Sequence, residues 1–134
     1  MTITTATEHS TVSVCELAGV TYRRLDYWAN GVLVPSINEA QGSGYRRNYS
    51  TDDVNIAIVL RTVTDYTGQL PTQVLTKIAR GMRGILIGGV PDYVIIVWSK
   101  GDIIITTETP AYGVPHLVIY PSLIKDDHDQ AEGV

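Results

Sequence analysis

At about residue 83 the chain changes its hydrophobic period. From about Val12 to Met82 apolar residues recur at the spacing of a helix face; from Gly84 onward they come in short β-branched runs separated by glycine and proline. A segment patterned for one structure cannot settle in the other, because its apolar side chains would leave the face they must bury. The expected class is therefore α+β. The units expected are a polar, threonine-rich arm over residues 1–11, a helical unit over 12–83, a small antiparallel β-rich region over 84–124 and an acidic tail over 125–134. With 134 residues, 44% hydrophobic and 18% charged, the chain can hold one domain, or two small ones sharing a core.

Charge narrows the function classes. A net charge of −4 argues against a chain that coats nucleic acid through bulk charge. The excess is local, however. Residues 125–134, "KDDHDQAEGV", hold one cation and four carboxylates and account for −3 of the −4. Cys15 is the lone cysteine, which excludes an internal disulfide and a cysteine cluster for zinc, and His9, His116 and His128 are scattered along the chain. No metal and no cofactor is expected. The first residues lack the cationic start and apolar run of a secretory leader, and no apolar stretch approaches the ~20 residues that cross a bilayer. The expectation is a soluble cytoplasmic protein, nucleoid-associated if it binds DNA, with no membrane partner.

The stretch "SVCELAGVTYRRLDYWANG" reads as two short helices joined by a tight turn. Ser13 is a candidate cap for the first, which carries Val14, Leu17 and Ala18 on one side, and Gly19 stops it. Thr21 caps the second, in which Leu25 and Trp28 share a face while Arg23, Arg24 and Tyr27 project elsewhere. Guanidinium groups near the start of a helix suit docking in a major groove, where arginine offers a planar bidentate donor.

The next segment ends in "GSGYRRNYS". Val32 and Val34 alternate as a strand would, Pro35 ends it, and Gly42 and Gly44 allow a hairpin reversal before "YRRNY" runs back. Ser50 with Asp53 is close to a capping box and opens a third helix through Val54, Ala57, Ile58 and Arg61. A cationic hairpin between two helices has the form of a wing, whose tip arginines would reach a phosphate strand beside the groove.

The order "CELAGVTYRRLDYWANGVLVPS" followed by "RNYSTDDV" resembles the winged helix-turn-helix of MerR-family transcription regulators, over roughly Val12 to Met82. The resemblance implies that Tyr22, Arg23 and Arg24 on the recognition helix and Arg47 in the wing meet DNA. It also implies that Tyr27 and Tyr49 offer hydroxyls to phosphate; Thr21, Tyr45 and Arg46 complete the candidate surface. Asp26 stands where many members carry a basic residue, and is read as orienting Arg23 or Arg24. The first helix and its turn are shorter than the commonest family pattern.

"TGQLPTQVLTKIARGMRG" predicts a fourth helix from about Thr72, with Val74, Leu75, Ile78 and Met82 on its apolar face and Lys77, Arg80 and Arg83 on a solvated one. The long coiled-coil helix of a typical MerR regulator is missing, because Gly81, Gly84, Gly88 and Gly89 would interrupt it at ~1 kcal/mol each. In its place stand three strands, Tyr93 to Trp98, Ile103 to Thr107 and His116 to Tyr120, the first two joined by a turn at Ser99-Lys100-Gly101-Asp102. The "VIIV" run is apolar on both faces. One face would cover the helices and the other a second chain, so a homodimer through the β region is expected.

Plainer readings stand beside these. Arg46 and Arg47 could be a solvated loop pair, Trp28 is core before it is contact, and Cys15 is a small buried apolar residue. The chain lacks a nucleotide-binding glycine loop with its lysine, HExxH and GxSxG, and is read as a non-enzyme. Two functions remain. The first is a dimeric regulator, repressor or activator, on an inverted-repeat promoter, with the RNA polymerase contact that the resemblance implies. The second is an excisionase-like recombination factor that bends DNA. A small effector in the β-rich half is compatible with the first.

Overall fold

The computed structural model describes residues 8–33, 37–38 and 47–125. Two units of secondary structure alternate in it, as the change of period requires. The first comprises β1 (Glu8–His9), α1 (Thr11–Ala18), α2 (Tyr22–Ala29), β2 (Ile37–Asn38), β3 (Arg47–Ser50), α3 (Thr51–Thr67) and α4 (Thr72–Ile87). The second is a sheet of β4 (Val94–Ser99), β5 (Asp102–Thr106) and β6 (His116–Ile119). The fold class is α+β, with a helix-turn-helix followed by a small antiparallel sheet.

Local chemistry sets most of the element ends. Ser50 and Asp53 close a reciprocal capping box: Asp53 N–H donates to Ser50 Oγ at 3.1 Å and Ser50 N–H to the Asp53 carboxylate at 2.9 Å. Thr21 caps α2 by accepting from Arg24 N–H. The β4–β5 hairpin turns through Lys100 and Gly101, both at positive φ, as a tight two-residue turn demands. Other ends are set by contacts distant in sequence. The cap of α1 is Ser10, three residues before the expected Ser13, whose own N–H donates to Ser10 Oγ. The helix starts early because residues expected in a polar arm are already structured: Glu8 and His9 pair with Ser50 and Tyr49 of β3. Val32 and Leu33 do not form a strand. Their N–H groups both donate to the Trp28 carbonyl and extend the end of α2, both side chains are buried, and β2 forms later, at Ile37 and Asn38.

α3 is the spine of the molecule. Every residue from Asp53 to Leu60 is buried, so the helix is covered on all sides, by α1, by α4 and by β3. The two buried polar residues on it each have a partner. Arg83 of α4 donates to the Asp53 carboxylate at 2.8 Å. The Asn55 amide accepts from Ile124 N–H at 2.7 Å and donates to Ile124 C=O at 2.9 Å, which fastens the segment after β6 to the start of α3.

α4 runs through Gly81 and Gly84 and ends at Gly88. Gly81 is not a breaker here but a point of close approach: a Cβ at this position would overlap the Ile105 Cγ2 methyl of β5. The energetic cost of an interior glycine is offset by packing of helix on sheet. The row expected to be a solvated face is half engaged, since Lys77 pairs with Asp102 at 2.8 Å and Arg83 with Asp53, leaving Arg80 exposed. The Lys77 ammonium, with the Ile103 N–H, holds the Asp102 carboxyl below the usual carboxylate range.

In the sheet the order is β5-β4-β6, with both neighbours antiparallel to β4. Val94, Ile96, Ile103, Ile105 and Ile119 join one core with residues of α1 to α4. Ile95 and Val97 point to the other face and are nonetheless 2% and 6% exposed. The second face, expected to await another chain, is buried at its centre and open at its rim, where Ile104 is 48% and Val118 39% exposed.

Gly81→Ala is expected to destabilise the protein by about 1–3 kcal/mol through overpacking against Ile105. Combining it with Ile105→Ala should recover part of that loss. A double-mutant cycle by chemical denaturation measures the coupling, and strictly additive costs would show that the helix does not rest on this methyl group.

Candidate nucleic-acid interface

α2 turns one face inward and one outward. Leu25 and Trp28 are buried, which fixes the rotation of the helix and leaves Tyr22, Arg23, Arg24 and Tyr27 exposed. Its first turn is tightened by the Thr21 cap. The Arg24 guanidinium lies over the Trp28 ring, 5.9 Å from its centroid, so a buried indole steadies an exposed cation. At the other end of the face the Tyr27 hydroxyl is hydrogen-bonded to Thr72 Oγ1, in the first turn of α4. α2 is thus held from below by apolar packing and from the side by a tie to another helix.

Among the described residues neither Arg23 nor Arg24 has a carboxylate partner. The expectation that Asp26 orients one of them is not met. Both guanidiniums are offered to solvent, and each retains its full set of donors for an external anion. Beside them a cleft of about 440 Å³ opens between α2 and the α3–α4 junction, lined by Arg23, Arg24 and Tyr27 of α2, Thr64 of α3, and Gln69 and Leu75 beyond it.

The wing is described in part. Arg47 opens β3, opposite Asn38 of β2. Tyr45 and Arg46 lie outside the described residues, as do Gly42 and Gly44 of the expected hairpin reversal. Tyr49 needs a correction. It was expected to offer a hydroxyl to phosphate, but it is wholly buried in the core. The reason is its place one residue before the Ser50 cap, where an apolar side chain staples to the residue five positions on; that residue, Val54, is buried in the same cluster. The staple pattern was present in the sequence and could have identified Tyr49 as core. Thr72 and the cleft had no such signal, because they arise from contact between α2 and α4, 45 residues apart.

Among the described residues no three His, Cys, Asp or Glu side chains cluster as metal ligands, and no helix is long and apolar enough to cross a membrane. Burial, with the Glu16 carboxylate beside it, pushes the Cys15 thiol up, away from the reactive thiolate.

A helix pair of this kind, a capped second helix with an outward cationic face and a two-stranded wing before α3, coincides with the match to known families. The model of the MerR HTH family regulatory proteins covers residues 10–74. Residues 10–74 form a MerR-family helix-turn-helix domain. Over 54 residues, 40% of this chain, the sequence is 46% identical to uncharacterised HTH-type transcriptional regulators of Mycobacterium bovis and of two strains of Mycobacterium tuberculosis. The match spans 24% of the length of these relatives. The MerR-type domain thus takes in α1 to the start of α4, while the sheet from β4 to β6 lies beyond it.

Tyr27→Phe removes the tie between α2 and α4 while leaving the ring in place. It is expected to cost about 0.5–1.5 kcal/mol and to speed amide exchange in α2 relative to α3. Unchanged exchange in α2 would show that its seat depends on Leu25 and Trp28 alone.

Proposed function

We propose that the protein is a sequence-specific, double-stranded DNA-binding transcription regulator of MerR type that acts as a homodimer on an inverted-repeat promoter site. The observation that carries this reading is the pair of uncompensated, exposed guanidiniums of Arg23 and Arg24 on a helix whose rotation is fixed by Leu25 and Trp28. Arg23 reads base edges in the major groove, with Tyr22 beside it; Arg24 meets a phosphate, as do Arg46 and Arg47 of the wing. Thr21 and Tyr45 flank this surface. Tyr27, already bonded to Thr72, serves by fixing the helix and presents its ring edge to the backbone.

The two chains of the dimer meet at the sheet rim around Ile104 and Val118. The relatives, named as HTH-type transcriptional regulators, agree with this assignment of class. Contact with RNA polymerase and the sign of regulation follow from where the site lies in a promoter. No catalytic role is assigned.

If each chain neutralises about three phosphates through Arg24, Arg46 and Arg47, a dimer displaces about six counterions, and log affinity falls against log salt with a slope of roughly −5. Arg47→Ala is expected to weaken binding to all sequences and flatten that slope; an unchanged slope would remove the wing from the interface. Arg23→Ala is expected to relax discrimination at one or two base pairs, by ~1–3 kcal/mol each, and equal losses on specific and random duplex would refute base readout. Selection of bound sites from a random pool followed by footprinting tests the dimer: a single palindrome supports it, whereas direct repeats indicate a DNA-bending recombination factor.

A further inference from the structure

The cleft beside α2 differs from a surface that only meets a duplex. Its floor is apolar: Trp28 and Leu75 are buried and Leu70 is packed against the core. Its rim carries the two unpaired guanidiniums, with Gln69 and the hydroxyls of Thr21 and Thr64 as neutral hydrogen-bonding groups. Among the described residues no carboxylate lines it. Its volume of about 440 Å³ falls within the ~300–1,000 Å³ of small-molecule sites. A phosphate satisfies the arginines but leaves the apolar floor uncovered. The cleft is therefore built for more than a phosphate.

We propose that this cleft is a binding site for a small organic anion, a planar apolar body bearing a carboxylate. The body lies along Leu70 and the cleft-facing edges of Trp28 and Leu75, and the carboxylate takes the guanidinium of Arg23 or Arg24 in a two-point hydrogen bond. A cationic ligand is disfavoured by two uncompensated positive charges, and a neutral one leaves both arginines unused. If Arg23 and Arg24 also hold DNA, a consequence that rests on the function proposed above, ligand and duplex exclude one another. The linkage is then reciprocal: the anion weakens DNA binding by the factor by which DNA weakens the anion.

The test uses the full chain and 2-naphthoate as probe, with 2-naphthalenemethanol as its neutral counterpart. The reporter is the Trp28 indole N–H resonance, assigned with the Trp98→Phe variant. Saturable movement of the Trp28 signal by naphthoate is expected, with affinity at least about tenfold lower for the alcohol and for the Arg23→Gln/Arg24→Gln variant. These substitutions lie on an exposed face, so unchanged dispersion elsewhere in the spectrum reports an intact fold. The proposal is overturned by no saturation up to about 10 mM, by equal affinity for the alcohol, or by an affinity indifferent to the arginine substitutions. Displacement of a labelled duplex by naphthoate supports mutual exclusion, and simultaneous binding of both overturns it. A protein that binds naphthoate yet ignores duplexes keeps the anion site and refutes the proposed DNA-binding function instead.

Discussion

The architecture depends on one buried carboxylate. Asp53 has no exposure to solvent and sits where the wing strand ends, α3 begins and α4 passes. A charge in such a place is tolerated only with partners on every side. Asp53 receives the Ser50 N–H from the end of β3 and the Arg83 guanidinium from α4, and its own N–H is held by Ser50. Two consecutive elements and a third 30 residues on are thereby oriented by one side chain. Arg83 is partly exposed and Asp53 is not, and the pair fixes the end of β3 and the start of α3 against α4.

From that junction the rest follows by packing. The first half of α3 is buried all round and passes the constraint to α1 and to α4, and the Tyr27–Thr72 bond returns it from α4 to α2. The outward cations of α2 stand at the end of a chain of contacts that begins at Asp53. The cationic surface is therefore small and well supported within a chain that is acidic as a whole, and its position matters more than the protein's total charge.

How much of this was legible in the sequence depended on range. The Thr21 cap, the Ser50–Asp53 box, the Lys100–Gly101 turn and the inward pairing of Leu25 with Trp28 are encoded within a few residues, and each was read as it stands. Ser10 displaced Ser13 as a cap because β1 pairs with β3, some 40 residues on, a fact invisible to local pattern. Lys77 and Arg83 looked solvated because their partners lie 25 and 30 residues away. Gly81 looked like a breaker because propensity carries no information about what approaches the helix from outside. Of the candidate site, the arginines of α2 were legible and the core role of Tyr49 was overlooked, although its staple spacing was in view. The cleft was not legible, since none of its walls is complete within one segment.

The clasp between Asn55 and Ile124 joins two points 69 residues apart through one side chain and the main-chain N–H and C=O of one residue. Only a primary amide of this length can both give and take a hydrogen bond there; aspartate would lack the donor, and leucine would abandon both main-chain groups. The main-chain groups, by contrast, are supplied by any residue at position 124 except proline. Evolution along this lineage would then leave a fixed asparagine opposite a neighbour restricted only by its own packing against the core. A comparison of relatives searching for co-varying pairs would pass over a contact that closes more than half the chain into a ring.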